Sequence, residues 1–355
     1  MKSIILLSLI GLLFAVSFNT IAEEPSPPQD ISAFGILNQC AKDNKYLFVF
    51  FFKNKDNPAA SKMAEVFSKA KVTYAEKASF IEINIDNPVE EKFIKQFEID
   101  KKSKPIIIAI APEGVVTKEC SMTATQEELG EAFATPKTLE MLKAHKDNKY
   151  FMVLFFKDKA DANTVVMSDV FNKAKVTYSD KAVFTEINIA DKSEERFISR
   201  FEVDKVAKPL ILAIAPGEIV TKGFIKKVKE EQIAEAFVTP KTLETLRANK
   251  DKKMIVMLFN NPKLEGSNKA EAIVNSVAKE MSVQTPMQVI IVDPSDAAEK
   301  DLLARAGVSA NIKKPAVVIL QDGTLKGTIE YDKLTADALK ALITKSCGAD
   351  CGPGG

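Results

Sequence analysis

Short apolar runs recur along this chain at even distances, separated by polar stretches of helical period. Tyr46–Phe52 is continuously apolar, the pattern of a central strand covered on both faces. Residues 80–86 alternate apolar and polar positions and predict a second strand. Lys104-Pro105 then opens a third run, Ile106–Ala111. Proline is tolerated at the first position of a strand, where its missing N–H removes no ladder bond. Between these runs the spacing predicts helices. Ile31, Phe34, Leu37 and Ala41 mark one over 31–42, with Asp30 as its N-cap. A second covers about 59–70, and a third covers 89–97, with Phe93 and Phe97 on one face. Gly114 marks a turn, 115–120 a return strand, and 126–133 a helix.

The whole pattern then repeats. A shift of 104 positions lays Phe51-Phe52-Lys53 on Phe155-Phe156-Lys157, Glu82-Ile83-Asn84-Ile85 on Glu186-Ile187-Asn188-Ile189, and Lys104-Pro105 on Lys208-Pro209, without a gap. A third, more diverged copy runs from strand 254–259 through a helix capped by Ser267 and strand 289–292 to Lys314-Pro315. Asp322-Gly323 makes a hairpin turn there, and the last helix covers 335–344. The expected domains are therefore 31–134, 135–238 and 239–346. They follow a polar, proline-rich linker at 23–30 and precede a cysteine- and glycine-containing tail at 347–355.

Helix, strand, helix, strand, helix, proline-led strand, hairpin strand, helix is an α/β order. Together with the Xaa-Pro at the third strand, it resembles the thioredoxin fold, a mixed central sheet flanked by helices. The resemblance covers about residues 31–346, as three tandem domains. It implies that Pro105, Pro209 and Pro315 are cis-prolines facing the loop after each domain's first strand. That loop carries the family's Cys-x-x-Cys motif. Here the three loops read 53–61, 157–163 and 260–267, and none contains cysteine. The thiolate is the nucleophile of thiol exchange, so the resemblance is to non-catalytic modules of protein disulfide isomerases. It implies protein or peptide binding by strand addition beside the prolines, with Lys104, Lys208 and Lys314 able to set charge preference. Calsequestrin shares the three-domain architecture, but its calcium storage needs an acidic excess that this chain lacks.

Charge narrows the classes further. Lys and Arg number 49 against 48 Asp and Glu. This excludes a nucleic-acid binder working by phosphate neutralisation. The start, Met1-Lys2-Ser3, the apolar run 4–16 and Thr20-Ile21-Ala22 read as a signal peptide over 1–22. The expected product is exported, periplasmic or extracellular, with no stable membrane insertion after cleavage.

Candidate chemistry is sparse. One histidine, His145, reads as a helix-end surface residue, and one histidine builds no multi-His metal site. There is no phosphate-binding glycine loop, and no cofactor is expected. Paired carboxylates such as Glu90-Glu91 read as favouring helix starts. Cys40 and Cys120 read as small buried hydrophobes, with a disulfide as the alternative. Cys347 and Cys351 in the tail are a candidate redox pair, a local disulfide or a half-site for a soft metal. The leading expectation is a binding protein without catalysis at the family site. The alternative is a thiol-disulfide redox protein using Cys347 and Cys351.

Overall fold

The computed structural model describes residues 32–347. The segments expected to be signal peptide and linker, and Cys351, lie outside the described residues, as does Asp30. The first domain runs α1 (Ala33–Lys42), β1 (Tyr46–Phe52), α2 (Pro58–Thr73), β2 (Ala78–Asn84), α3 (Glu91–Gln96), β3 (Ile106–Ile110), β4 (Val116–Ser121) and α4 (Gln126–Gly130). The second runs α5 (Pro136–Lys146), β5 (Tyr150–Phe156), α6 (Ala162–Thr177), β6 (Ala182–Asn188), α7 (Glu195–Arg200), β7 (Leu210–Ala215), β8 (Ile219–Ile225) and α8 (Glu230–Ile233). The third runs α9 (Pro240–Lys250), β9 (Met254–Phe259), α10 (Ser267–Met281), β10 (Met287–Val292), α11 (Lys300–Ala306), β11 (Ala316–Gln321), β12 (Thr324–Glu330) and α12 (Ala336–Cys347).

Each domain holds one four-stranded mixed sheet, in the orders β2-β1-β3-β4, β6-β5-β7-β8 and β10-β9-β11-β12. The first strand pairs parallel with the second and antiparallel with the third in every copy. This is the expected thioredoxin-like order, and among the described residues no fifth strand joins any of the sheets. Phe237 packs its ring on Tyr150 and Tyr178, at centroid distances of 5.1 and 5.0 Å.

Continuous apolar runs become central strands because both sheet faces are covered. Phe151, Val153 and Phe155 of β5 pack with Met141, Ala144 and Phe197 on one face. Met152 and Leu154 pack with Met167, Phe171 and Phe224 on the other. By the repeat, Cys40 takes the place of Ala144 and Cys120 that of Phe224, so the two cysteines belong to opposite faces. Neither is in a disulfide, and they are 2% and 6% exposed. The disulfide alternative for Cys40 and Cys120 is thus corrected: the sheet stands between them, and the buried-hydrophobe reading holds.

Two helix starts differ from expectation. Ser32, not Asp30, caps α1, accepting from the Gly35 N–H at 3.2 Å. The N-cap of α10 is Gly266 at φ 80°, and Ser267 is the first helical residue. By contacts the chain forms two compact units. Among the described residues, one holds 32–114 with Lys118–Leu129. The other holds Val115–Thr117 and 130–347. Within the second unit α9 packs against β8 as well as β9 and β10. Arg247 donates to the Pro216 carbonyl at 3.4 Å, and Lys250 to those of Gly217 and Glu218 at 2.9 and 3.2 Å.

Candidate functional site

Strand register places the proline segments. Phe51 lies opposite Ile106, Phe155 opposite Leu210 and Phe259 opposite Ala316. One residue further out, each proline stands across from the start of the loop that follows the first strand. Pro105, Pro209 and Pro315 are all buried. Lys104-Pro105 and Lys208-Pro209 are cis. The Lys314-Pro315 bond is not among the cis bonds of the described residues, which corrects the expectation for Pro315. The third domain differs around it. The Glu265 N–H donates to the Lys313 carbonyl at 3.2 Å, so the loop after β9 closes directly onto the segment before the proline. Tyr331 lies over Gly266, where an added Cβ would fall inside its ring. The first two domains instead bond the proline carbonyl to the far hairpin strand end: the Met122 N–H reaches Pro105 O at 2.8 Å, and that of Lys226 reaches Pro209 O at 2.9 Å.

The helix starts facing the two cis-prolines are self-capped. Asn57 accepts from the Ala59 N–H at 2.9 Å. Asp161 accepts from the N–H groups of Asn163 and Thr164 at 3.0 and 3.1 Å. These short oxygen side chains satisfy orphan donors of the first helical turn. In both loops a lysine folds over the last phenylalanine of the strand. Lys55 pairs with Glu82 and sits 4.8 Å from the Phe52 ring centroid. Lys159 pairs with Glu186 at 2.8 Å and sits 5.1 Å from the Phe156 centroid. The loops are thus stitched by charge and a cation–π contact, and neither contains a cysteine.

The lysines before the prolines turn inward. Lys104 donates to the Asp100 carbonyl at 3.1 Å. Lys208 donates to the carbonyls of Val203 and Val206. Both close the end of a short 3-10 turn, Ile99–Lys101 or Val203–Lys205, where carbonyls are left without helical partners. Burial pushes the Lys208 amine below the usual lysine range. Lys314 is different: it pairs with Asp332 at 2.7 Å, lies 3.8 Å from Glu265 and 5.7 Å from the Tyr331 ring centroid. The hydrogen bond to Asp332, followed by the charges of Asp332 and Glu265, raises its pKa. Beside the cis-prolines the surface carries apolar side chains, Met122 at 44% and Ile225 at 48% exposure. Ser121 donates to the Ser103 carbonyl at 3.0 Å; Ile225 stands at its place in the second domain and brings no hydroxyl.

Sequence reasoning missed a repeated carboxylate, half-buried at Glu90 and buried at Glu194 and Glu299. Glu90 accepts from the Ala33 N–H with both oxygens at 3.2 Å. Glu194, 2% exposed, accepts from the Lys137 N–H at 3.0 Å. Glu299 accepts from the Thr239 hydroxyl at 2.8 Å. Each glutamate serves the start of its domain's first helix, not only its own. The signal was its recurrence in all three copies at the same place. His145 is also not a plain surface residue: half-buried, its Nε2 lies 3.4 Å from the Ile214 carbonyl. Burial holds its pKa below the ordinary 6.5. The backbone of Cys347 ends α12, and Cys351 is outside the described residues. Among the described residues no group of three or more His, Cys, Asp or Glu side chains could hold a metal ion, and no helix is long and apolar enough to cross a membrane.

No family model and no curated protein matches the chain. Among solved structures it is similar to human ERp44 form II, at 13% identity over 92% of this chain and 89% of that one, with a TM-score of 0.29. Full-length ERdj5 is similar at 16% identity over 87% of this chain and 46% of that one, TM-score 0.24. A malarial protein is similar at 18% identity over 25% of this chain and 93% of that one, TM-score 0.22. Its own strand order, repeated in three sheets, makes this chain three tandem thioredoxin-like domains.

Proposed function

We propose that this chain is an exported, non-catalytic protein that binds extended segments of other proteins beside Pro105 and Pro209. The observation that carries the reading is the contrast between the two cis-proline edges and the third. In the first and second domains the edge is retained and rimmed by Met122 or Ile225, while the facing helix start is capped by Asn57 or Asp161 in place of a thiol. In the third, Tyr331, Gly266 and the Glu265–Lys313 bond occupy the equivalent space. An extended peptide adds to such an edge through main-chain hydrogen bonds, with apolar neighbours supplying area. Lys104 and Lys208 hold the edge in shape through their carbonyl bonds and do not select charge.

The test uses reduced, alkylated insulin B chain as the probe and amide hydrogen exchange as the readout. Protection is expected around 103–107 and 207–211 and not around 313–317. Protection at all three segments, or at none, sinks the reading. An insulin-reduction assay on the same full chain is expected to show no turnover. Turnover lost on Cys347→Ser and Cys351→Ser would replace the binding reading with tail-borne thiol exchange.

A further inference from the structure

The second and third domains treat one position differently. In the second, the second residue of α7 is Arg196, and its guanidinium donates to the carbonyl of Phe133. The matching pair in the third domain is Asp301, the second residue of α11, and Phe237. The arginine is gone. In its place is a cavity of about 420 Å³ lined by Phe237, Asp301, Arg305, Thr242, Leu246 and Lys222, among others. Lys222 is already paired with Glu235 at 2.8 Å. That leaves Asp301 as the uncommitted anion of the lining and Arg305 as the uncommitted cation. Leu246 supplies apolar wall.

We propose that this cavity receives the guanidinium of an arginine side chain from a partner protein. Such a group would restore the bond that Arg196 makes to Phe133, donating to the Phe237 carbonyl. It would gain a carboxylate partner in Asp301 that the second domain lacks. A planar fork of N–H donors suits a carboxylate and a carbonyl together, where an ammonium offers only a point charge. Arg305 opposes the incoming charge, so its removal tightens binding. The site stands independently of the cis-proline edges, and loss of one leaves the other intact.

The experiment is calorimetric titration of the full chain with N-acetyl-arginine amide, with N-acetyl-lysine amide as the comparison. Saturable binding of the arginine probe is expected, with the lysine probe weaker. Asp301→Asn should weaken it by about tenfold or more, the range of one charge-assisted hydrogen bond. Asp301→Arg should abolish it by rebuilding the second domain's own contact, and Arg305→Ala should strengthen it. Asp301 and Arg305 are both exposed, so the variants fold. Absent binding to the natural chain, or unchanged binding in Asp301→Asn, overturns the proposal. Loss of binding in Arg305→Ala overturns it too, because it would mean an anion site.

Discussion

Gly266→Ala tests how the third domain closes its cleft. Gly266 is at φ 80° and a Cβ there would enter the Tyr331 ring. The left-handed backbone costs a non-glycine residue about 1–2 kcal/mol. The ring is the far end of a side chain, so it can swing away. The clash then becomes lost packing of a half-buried aromatic against the cluster around Ile329 and Leu334, about 0.8–1.5 kcal/mol at half the value of full burial. The single substitution should therefore cost about 2–3.5 kcal/mol. Tyr331→Ala alone should cost about 2 kcal/mol by truncation of a partly buried ring. In the double variant the clash is absent, so the two costs should fall short of their sum by about 1–2 kcal/mol. Urea unfolding by far-ultraviolet circular dichroism gives the four stabilities, and amide exchange in β9 and β11 assigns the transition to the third domain. Additivity within about 0.5 kcal/mol would refute the claim that Tyr331 fills the space at Gly266.

Glu194→Ala should lower stability by about 2–4 kcal/mol, by orphaning the Lys137 N–H and leaving a hole; Glu194→Gln, which keeps an acceptor, should cost less, and equal urea midpoints for the two would contradict the helix-start role. His145 has a folded pKa below its unfolded value of 6.5, so the unfolded chain takes up the proton first. Stability is complete above pH 6.5, falls as pH drops through 6.5, and levels off below the folded pKa. His145→Asn, the residue at the matching position 249, should remove that slope in thermal melts between pH 7 and 5, and an unchanged slope would assign it to other groups. The lowered pKa values of Asp191 and Asp293 act only in more acid solution, and leave this window clear.

The fold was legible because its signals are local and repeated. A run such as Tyr46–Phe52 has one stable place, the middle of a sheet, and Lys104-Pro105 fixes the next strand's start. Long-range polar pairing was less legible. Glu90 reads as a helix-start carboxylate, and nothing nearby in sequence says that it reaches the N–H of Ala33. The third domain's departure was hidden for the same reason. Lys314-Pro315 looks like its two counterparts, and the difference lies in Tyr331 and Gly266, which come from elements far apart in the chain. Helix caps moved by one or two residues, because Ser32 and Gly266 compete with equally plausible neighbours as the first non-helical residue.

The three helix-start glutamates decide where this chain can be divided. Glu90 and Glu194 lie 57 positions after the N–H groups they hold, and Glu299 lies 60 after its hydroxyl. A truncation that keeps Glu194 or Glu299 and discards the first helix of its domain would leave a buried carboxylate without its partner, which costs more than leaving both in water. The smallest heritable piece is therefore a whole copy, from the residue that starts its first helix to beyond its third strand. The first two copies, offset by 104 residues, each keep both ends of that bond together, and a cut placed between the ends would leave neither in working form.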